Sequence, residues 1–426
     1  MNAIAKELNM TLEGSVAGRL LSELGRKMYF PKGIVAQTGE ANARANRFNA
    51  TVGMAFEEGE PIMLSGLKGL VTGLNATEAV AYAPTPGVPE LRKLWKAQML
   101  EKNPSLGSTP TTVPMVTGGL TNGLFQITEL FVNPGDALVI PELFWGNYRL
   151  MIEVRREAQI VEYELFDDAG GFNVAALEAA IGDRKKAVVL LNFPNNPTGY
   201  SPTRREAREI EDLLVRKAEA GCDLLVVLDD AYFGLFYEDD LLEESLFARL
   251  ANASDRILAV KIDGATKEDF AWGFRVGFVT FASKGLSQDQ LDALERKLMG
   301  HVRATVSNSS RIAQSMLVRA LQSDSYAQEK LDKREMLRRR YARVRAILEA
   351  EDTGPLTPLP FNSGYFMAFA CRGISAEELR LALLDEGIGT IAIGAEYLRV
   401  AYSTIDEPDL PELYAAIFAA AKRLAG

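Results

Sequence analysis

Lys267 is a residue whose type and setting could carry covalent chemistry. It follows the apolar run ILAVKIDG in the tripeptide Ala265-Thr266-Lys267, and Arg275 lies eight residues further on, inside WGFRVGF. A lysine packed among apolar strands loses part of its charge by desolvation and can then attack an aldehyde. Taken alone, an ordinary surface lysine is the competing interpretation.

Two carboxylates follow another apolar run. Asp229 and Asp230 come directly after LLVVL and precede Ala231 and Tyr232. A carboxylate at the end of a buried strand is costly unless a cationic group pairs with it. The pattern therefore indicates a site that holds a cation, with capping of the next helix as the alternative.

Two turn-forming segments could bind polar groups of a ligand. TGGLTNGL at 117–124 has glycines that permit a tight turn before an amphipathic run, and free amides at the start of such a helix can bind phosphate. It lacks the GxGxxG spacing of a dinucleotide site, and a plain turn is the alternative. NFPNNPTGY at 192–200 projects Asn196 near a strand end, where an ordinary turn-forming asparagine is the alternative.

These residues follow short apolar runs that predict strands of one parallel sheet. Between Thr117 and Ala282 the sequence alternates such runs, at 136–141, 187–194 and 224–230, with longer helical patterns. That alternation is typical of βα units whose helices cover both faces of the sheet. Because ligands of open α/β sheets bind beyond the carboxyl ends of the strands, we expect the polar residues after these runs to share one site.

The rest of the chain predicts a smaller α+β unit. Residues 285–350 have a nearly continuous helical pattern, and GYFMAFA at 364–370 is followed by AEELRLALLDEG and LRVAYST, which predict strand, helix and strand. The first 65 residues or so contain no strong βα unit. They predict an N-terminal arm and part of the small unit.

Composition disfavours several classes of protein. The length of 426 residues suits two domains. No apolar run approaches the ~20 residues of a membrane span, and the N-terminus is unlike a secretory signal. We therefore expect a cytoplasmic protein with no membrane partner. Cys222 and Cys371, the only cysteines, give neither a disulfide framework nor a metal-ligand spacing, and we expect no metal. The net charge of −10 disfavours nucleic acid, and the basic run at 333–345 is interpreted as the solvated face of an amphipathic helix.

The motifs NNPTG, DDAY, and TK followed by GFRVG resemble, in this order and spacing, the class I and II aminotransferases, which are fold-type I pyridoxal 5′-phosphate (PLP) enzymes. The similarity runs from about Asn49 to about Asp409. It implies an α/β fold with a large domain, whose mostly parallel seven-stranded sheet lies in an αβα sandwich, and a smaller α+β domain. We place the N-terminal arm and part of the small domain at 1–65, the large PLP-binding domain at 66–335 and the C-terminal small domain at 336–426.

The resemblance implies a role for each motif. Lys267 would hold the cofactor aldehyde covalently and then move the proton at the substrate Cα. Asp229 would pair with the pyridinium nitrogen, whereas Asp230 would be structural. Tyr232 and Asn196 would donate to the phenolate oxygen. The phosphate would be bound by residues of three loops, namely Gly119, Leu120, Thr121, Thr266 and Arg275.

Further matches are to the aspartate and aromatic aminotransferase branch. In PELFWGN, Trp145 would stack on the cofactor ring and Asn147 would lie beside Asp229, with a buried core tryptophan as the alternative. Tyr82, seven residues before Pro89, would reach the phosphate in the neighbouring subunit.

The same branch implies a substrate site. Gly53 in NATVGMA would approach the substrate carboxylate, and Arg399 in LRVAYST would bind that α-carboxylate as a bidentate pair, with Trp145 and Asn196 beside it. Arg303 in VRATVSN would come from the partner subunit and pair with the distal carboxylate of aspartate or glutamate. The alternatives are a solvated strand-edge position for Arg399 and a surface position for Arg303. Sharing Arg303 between subunits requires a homodimer with shared active sites.

Some residues depart from the family pattern. Gly264 stands where the family usually has the first serine of Ser-x-Ser-Lys, so one phosphate contact is missing or replaced. We expect Gly264→Ser to leave activity intact and, if the backbone tolerates the side chain, to tighten cofactor retention through one more hydrogen bond. Tyr148 stands where the aspartate branch commonly has a histidine, and His301, the only histidine, is interpreted as incidental.

The expected function is that of a PLP-dependent aminotransferase. It would transfer the α-amino group of aspartate or glutamate to a 2-oxo acid such as 2-oxoglutarate by a ping-pong mechanism. Aromatic amino acids are the alternative substrates, because an arginine that swings out of the pocket lets one site accept both. A lyase or decarboxylase of the same fold is a second alternative, because it shares the cofactor. A cofactor-sensing regulator would need a basic DNA-binding module before residue 49, and this segment is too short and insufficiently charged.

Overall fold

A computed structural model of the chain describes residues 1–3, 6–7, 10, 34–51, 53–62, 66 and 73–426. Most of the N-terminal arm expected before residue 34 lies outside these described residues. None of the described helices combines the length and the apolar character that a bilayer crossing requires.

A seven-stranded sheet forms the centre of the larger unit. From one edge to the other, its strands are Met115–Thr117, Gly277–Ala282, Ile257–Gly264, Asp223–Asp229, Lys186–Asn192, Ala137–Pro141 and Gln159–Tyr163. The last five pair in parallel, whereas Gly277–Ala282 is antiparallel to both of its neighbours. The expected mostly parallel seven-stranded sheet is therefore confirmed, and the three apolar runs named above form its central strands.

Both faces of this sheet are covered, because successive side chains of its strands pack into different apolar clusters. Val188 and Leu190 belong to one cluster with Leu120 of the helix Leu120–Phe131. The intervening Val189 and Leu191 belong to a second cluster, which includes the apolar face of the helix Arg204–Glu219. The alternation of side chains along a strand thus produces the αβα sandwich.

The described α-helices are Ile34–Arg44, Ala76–Val80, Pro89–Lys102, Leu120–Phe131, Asn147–Arg149, Val174–Ile181, Arg204–Glu219, Leu246–Leu250, Ala265–Glu268, Gln288–Thr305, Arg311–Leu321, Tyr326–Ala350, Ala376–Asp385 and Leu410–Ala425. A π-helix spans Leu150–Arg155, and 3-10 helices span Pro104–Leu106, Trp272–Phe274, Tyr402–Thr404 and Glu407–Asp409. The nearly continuous helix expected at 285–350 is three helices. One break occurs because the Ser310 side chain accepts a hydrogen bond from the Ala313 amide and so begins a new helix.

The smaller unit is built on a four-stranded antiparallel sheet. Its strands, in spatial order, are Leu356–Pro358, Met367–Cys371, Tyr397–Val400 and Ile391–Ile393. An early strand, Phe48–Asn49, pairs in parallel with Ile388–Gly389, so residues near position 50 pack with this unit. A hairpin of Phe56–Glu57 and Glu60–Pro61 follows. The boundary expected between 335 and 336 falls inside the continuous helix Tyr326–Ala350.

The register of the large sheet brings the polar strand ends together. Asn192 is paired with Asp229, and Asp229 with Ile262 of the next strand. The short helix that carries Lys267 begins directly after this latter strand ends at Gly264. These residues therefore lie together at the carboxyl ends of the parallel strands.

Candidate active site

Lys267 projects into a cavity at the carboxyl ends of the central strands. The cavity has a volume of about 190 Å³, and most of the residues expected to bind a ligand line it. The Lys267 amine lies 5.0 Å from the centre of the Tyr232 ring. Burial lowers the pKa of Lys267 to about 8, and the nearby Asp229 carboxylate opposes this shift. A larger neutral fraction near physiological pH suits this amine to nucleophilic and base chemistry.

Asp229 presents one free carboxylate oxygen inside the protein. The residue is 3% exposed, its Oδ2 accepts a hydrogen bond of 2.5 Å from the Tyr148 hydroxyl, and its Oδ1 is buried without a hydrogen-bond partner. Burial raises the pKa of Asp229 to about 6, whereas the hydrogen bond from Tyr148 and the charge of Lys267 act in the opposite direction. The free Oδ1 is therefore suited to a cationic N–H group of a ligand.

Several groups that could bind an anion lie at the start of the helix Leu120–Phe131. The Arg275 guanidinium packs against Gly119, where a Cβ would lie 2.6 Å from Nη2 and where φ is +90°. Leu120 and Thr121 line the cavity, and the amides of a first helical turn have no partner within the helix. The Thr266 hydroxyl is buried without a hydrogen-bond partner. Amides, a guanidinium and a hydroxyl together form a site suited to phosphate.

The backbone around Gly264 has no room for the serine side chain that the expected hydrogen bond requires. A Cβ at this position would lie 2.6 Å from the Val276 carbonyl oxygen and 2.9 Å from the Gly277 Cα. Gly264 and Gly277 are paired residues of two antiparallel strands, so these contacts are with backbone that cannot swing away. Serine would therefore disturb the candidate phosphate-binding groups around Thr266 and Arg275 rather than add a hydrogen bond to phosphate.

Arg399 supplies a buried cation that lines the same cavity. It is 2% exposed, and its guanidinium donates to Asn196 Oδ1 at 3.0 Å and to the Thr51 carbonyl at 2.7 Å. The guanidinium also lies 4.2 Å from the centre of the Phe366 ring. Burial lowers the pKa of Arg399 to about 10, and no carboxylate of the described residues forms an ion pair with it. A buried guanidinium in this state is suited to an anionic ligand group.

Gly53 lines the same cavity as Arg399 and lies next to the side chains of Phe366 and Tyr232. A Cβ on Gly53 would lie 3.5 Å from both the Phe366 ring and the Tyr232 hydroxyl. Its backbone therefore borders the cavity directly, as expected for a residue that approaches a ligand.

The segment after Pro141 differs in part from the expectation. Trp145 lines the cavity and packs edge-on against Tyr148, with ring centres 5.5 Å apart. Asn147, which was expected beside Asp229, is absent from the cavity lining, and the neighbouring Tyr148 donates a hydrogen bond to Asp229. The short helix Asn147–Arg149 aims neighbouring side chains about 100° apart, so only one of them can face Asp229.

Besides Tyr148, four residues that line the cavity were given no role by the sequence reasoning, namely Leu124, Asn192, Ala231 and Phe366. The Asn192 amide donates to the Asp229 carbonyl at 2.8 Å, and its Oδ1 accepts from the Asn196 amide N–H at 2.9 Å. Its position directly after the run AVVLL is a signal that could have found it. Phe366, which lies under Arg399, belongs to none of the motifs.

Tyr82 and Arg303 lie outside the cavity of their own chain. Tyr82 is 90% exposed. Arg303 is exposed near the end of the helix Gln288–Thr305 and donates to the Ser307 hydroxyl at 2.5 Å. His301 also lies away from the cavity lining, where its Nδ1 is 3.0 Å from Gln126 Oε1.

Comparison with known families accounts for this arrangement. Residues 73–417 match the family described as aminotransferase class I and II. The chain belongs to the class I and II aminotransferases. It is an amino-acid aminotransferase that uses PLP, and its substrates are an amino acid and a 2-oxo acid.

Individual relatives are similar over most of the aminotransferase chain. An aspartate/prephenate aminotransferase of Thermus thermophilus is 27% identical over 76% of this chain and 80% of its own length. An aspartate/prephenate aminotransferase of Cereibacter sphaeroides is 26% identical over 88% of this chain and 93% of its own length. The crystal structure of an aminotransferase from Anaerococcus prevotii has a TM-score of 0.82 and 25% identity over 92% of this chain and 96% of its own.

The cavity of this aminotransferase fits PLP in its chemistry. The buried Asp229 Oδ1 lacks a partner that the pyridinium N–H of the cofactor would supply, and the buried Thr266 hydroxyl lacks one that a phosphate oxygen would supply. Arg275 and the first amides of the helix Leu120–Phe131 offer further donors for the phosphate.

Proposed function

We propose that this enzyme transfers the α-amino group of aspartate or glutamate to a 2-oxo acid such as 2-oxoglutarate, as a homodimer with shared active sites. The observation that carries the proposal is the buried Arg399 guanidinium, which has no carboxylate partner among the described residues and lines the same cavity as Lys267. An α-carboxylate would satisfy this charge, and both the amino acid and the oxo acid carry one.

Each residue of the cavity then has a chemical task. PLP, when bound, supplies an electron-withdrawing ring that stabilises negative charge at the substrate Cα. Lys267 would hold the cofactor covalently, and its Nζ would take the proton from the substrate Cα. Asp229 would keep the ring nitrogen protonated, because its free Oδ1 can accept that N–H. Tyr232 and Asn196 would donate to the phenolate oxygen.

The remaining assignments concern phosphate, ring stacking and substrate. Trp145 would stack on the cofactor ring. Gly53 would approach the substrate α-carboxylate with its backbone. The phosphate would be held by Gly119, Leu120, Thr121, Thr266 and Arg275.

Two exposed residues support the assignment to a homodimer and to acidic substrates. Tyr82 and Arg303 project from the surface of their own chain and do not line its cavity. In a homodimer, Tyr82 would reach the partner's phosphate, and Arg303 would pair with the distal carboxylate of the substrate in the partner's site. The relatives named aspartate/prephenate aminotransferase support the choice of acidic substrates.

Substrate selectivity of Arg303→Leu tests this proposal. Without the guanidinium, the distal carboxylate of aspartate or glutamate is desolvated but unpaired in the transition state, which costs roughly 3 to 5 kcal/mol. Aromatic amino acids bring no second carboxylate, so their kcat/KM should fall little or rise. The measured quantity is the ratio of kcat/KM for aspartate to that for phenylalanine.

Arg296→Leu is the matched control, because Arg296 is exposed on the same helix. It should leave the ratio unchanged. An Arg303→Leu ratio equal to that of the control would place Arg303 outside the substrate site and favour aromatic amino acids as the substrates.

A further inference from the structure

Arg340 is a buried arginine that does not line the active-site cavity. It lies in the middle of the helix Tyr326–Ala350 and is 2% exposed. Its neighbour Arg338 is, by contrast, exposed and pairs with Glu335 within the same helix. Burying a guanidinium is costly, so the groups that it binds indicate what it does.

Arg340 donates to two groups just beyond the strand that carries Arg399. Nη1 donates to the Ser403 carbonyl at 2.6 Å, and Nη2 donates to Asp406 Oδ1 at 2.6 Å. Ser403 is fully buried, in the 3-10 helix Tyr402–Thr404. One side chain therefore fixes two points of the segment that follows Arg399.

Ser403 and Asp406 each form a hydrogen bond with the segment around Gly53. The Ser403 hydroxyl donates to the Met54 carbonyl at 2.7 Å. The second oxygen of Asp406, Oδ2, accepts from the Glu58 amide at 3.1 Å. Arg340 is thus connected to residues 54 and 58 through one intermediate residue in each case.

Gly53 is held from its other side by Arg399, which donates to the Thr51 carbonyl at 2.7 Å. The chain is therefore hydrogen-bonded on both sides of Gly53. Arg399 binds Thr51 on one side, and Ser403 binds Met54 on the other. These hydrogen bonds set the position of Gly53 relative to Arg399. Arg340 contributes by holding Ser403, which in turn binds Met54.

We propose that Arg340 is a positioning residue for the substrate α-carboxylate. Through Ser403 and Asp406 it holds Gly53 at a fixed position relative to Arg399. This inference rests on the proposed function in taking Arg399 and Gly53 as the α-carboxylate site. Because the amino acid and the oxo acid share that carboxylate, loss of Arg340 should weaken both substrates by a similar factor. Lys267, Asp229 and the residues assigned to the phosphate take no part in these hydrogen bonds, so cofactor retention should not change.

The test is steady-state kinetics of Arg340→Met and Ser403→Ala, with Arg338→Met as the control on the same helix. Arg340→Met should raise the KM of donor and acceptor together by about tenfold, because misplaced binding groups lose much of their effect. Ser403→Ala, which removes only the hydroxyl that holds Met54, should raise both by about threefold. In both variants kcat should change much less than KM, and Arg338→Met should match wild type.

Hydrogen–deuterium exchange of the enzyme without substrate gives a readout apart from activity. The amides of residues 54–58 should exchange faster in Arg340→Met and Ser403→Ala than in Arg338→Met. If Arg340→Met does not fold, Ser403→Ala decides both measurements, because it deletes a single hydroxyl.

Arg399→Lys separates failure of this inference from failure of the proposed site. If Arg399→Lys raises both KM values but Arg340→Met and Ser403→Ala lower only the melting temperature, Arg340 merely stabilises the fold and the inference is wrong. A change in kcat alone would also overturn it. If Arg399→Lys leaves both KM values unchanged, the α-carboxylate binds elsewhere, and the proposed site fails together with the inference.

Discussion

Two adjacent carboxylates at the end of one strand have different surroundings. Asp229 faces the cavity and keeps Oδ1 free, whereas Asp230 pairs with the buried Lys261 at 2.6 Å, and Lys261 also lies 3.0 Å from Asp263. The resemblance to a family motif at Asp229 and Tyr232 predicted which of the two carboxylates lines the cavity. The partner of Asp230 could not be predicted, because Lys261 lies on a neighbouring strand and their contact depends on the sheet register.

Substitutions of the two carboxylates should therefore affect different properties. Asp229→Asn removes the charge that keeps the ring nitrogen protonated and should lower kcat/KM by roughly three orders of magnitude. Asp230→Asn leaves Lys261 with Asp263 alone, so it should lower stability by up to about 3 kcal/mol with a much smaller loss of rate. Kinetics combined with thermal melting separates the two effects. Equal losses of rate would mean that the cofactor is not paired with Asp229 in particular.

The pKa of Lys267 provides a pH-dependent test in the enzyme freed of cofactor. Burial lowers this pKa to about 8, so the reaction of the amine with an acylating reagent should rise as pH increases through about 8. The Asp229 carboxylate stabilises the protonated amine, so Asp229→Asn should move the midpoint to lower pH. Mass spectrometry of the peptide that contains Lys267, with Lys267→Ala as the blank, follows the reaction. A midpoint that rises in Asp229→Asn would contradict the proximity of the two groups.

At the scale of elements, apolar runs predicted the central strands because those strands are buried on both faces. The runs expected at 187–194 and 224–230 correspond to Lys186–Asn192 and Asp223–Asp229. The nearly continuous helical pattern expected at 285–350 consists of three helices, because periodicity alone did not show the breaks, one of which is at the cap residue Ser310. The contact of Gly264 with the backbone of a paired strand could not be predicted from the chain alone, because it depends on how closely two strands and a helix start approach one another.

Gly264→Ser tests that close approach. The added Cβ would meet the Val276 carbonyl at 2.6 Å, so the strand end must shift, and such overpacking typically costs about 1 to 3 kcal/mol. Cofactor loss on dialysis should be faster and the melting temperature lower than in wild type. Gly300→Ser is the control, because a Cβ there meets nothing within 4 Å. Slower cofactor loss in Gly264→Ser would show that serine restores a phosphate contact after all.

At the scale of the whole molecule, one chain contains a nearly complete site. Lys267, Asp229 and Arg399 share a single cavity, whereas Tyr82 and Arg303 lie on the surface of the same chain. Sequence reasoning assigned the last two by resemblance, since no pattern within one chain reveals a contact between subunits. In the proposed homodimer, Arg303 of the partner subunit completes each site for an acidic substrate.

A hybrid dimer of one Lys267→Ala chain and one Arg303→Leu chain, purified through two different affinity tags, tests this claim most directly. If Arg303 serves the partner's site, one site of the hybrid lacks both residues and the other has both. The hybrid should then have about half of the wild-type kcat for aspartate and the wild-type KM, although each parent homodimer is impaired. If Arg303 served its own subunit, neither site would be intact. Activity of the hybrid no higher than the average of the two parents would contradict the shared site.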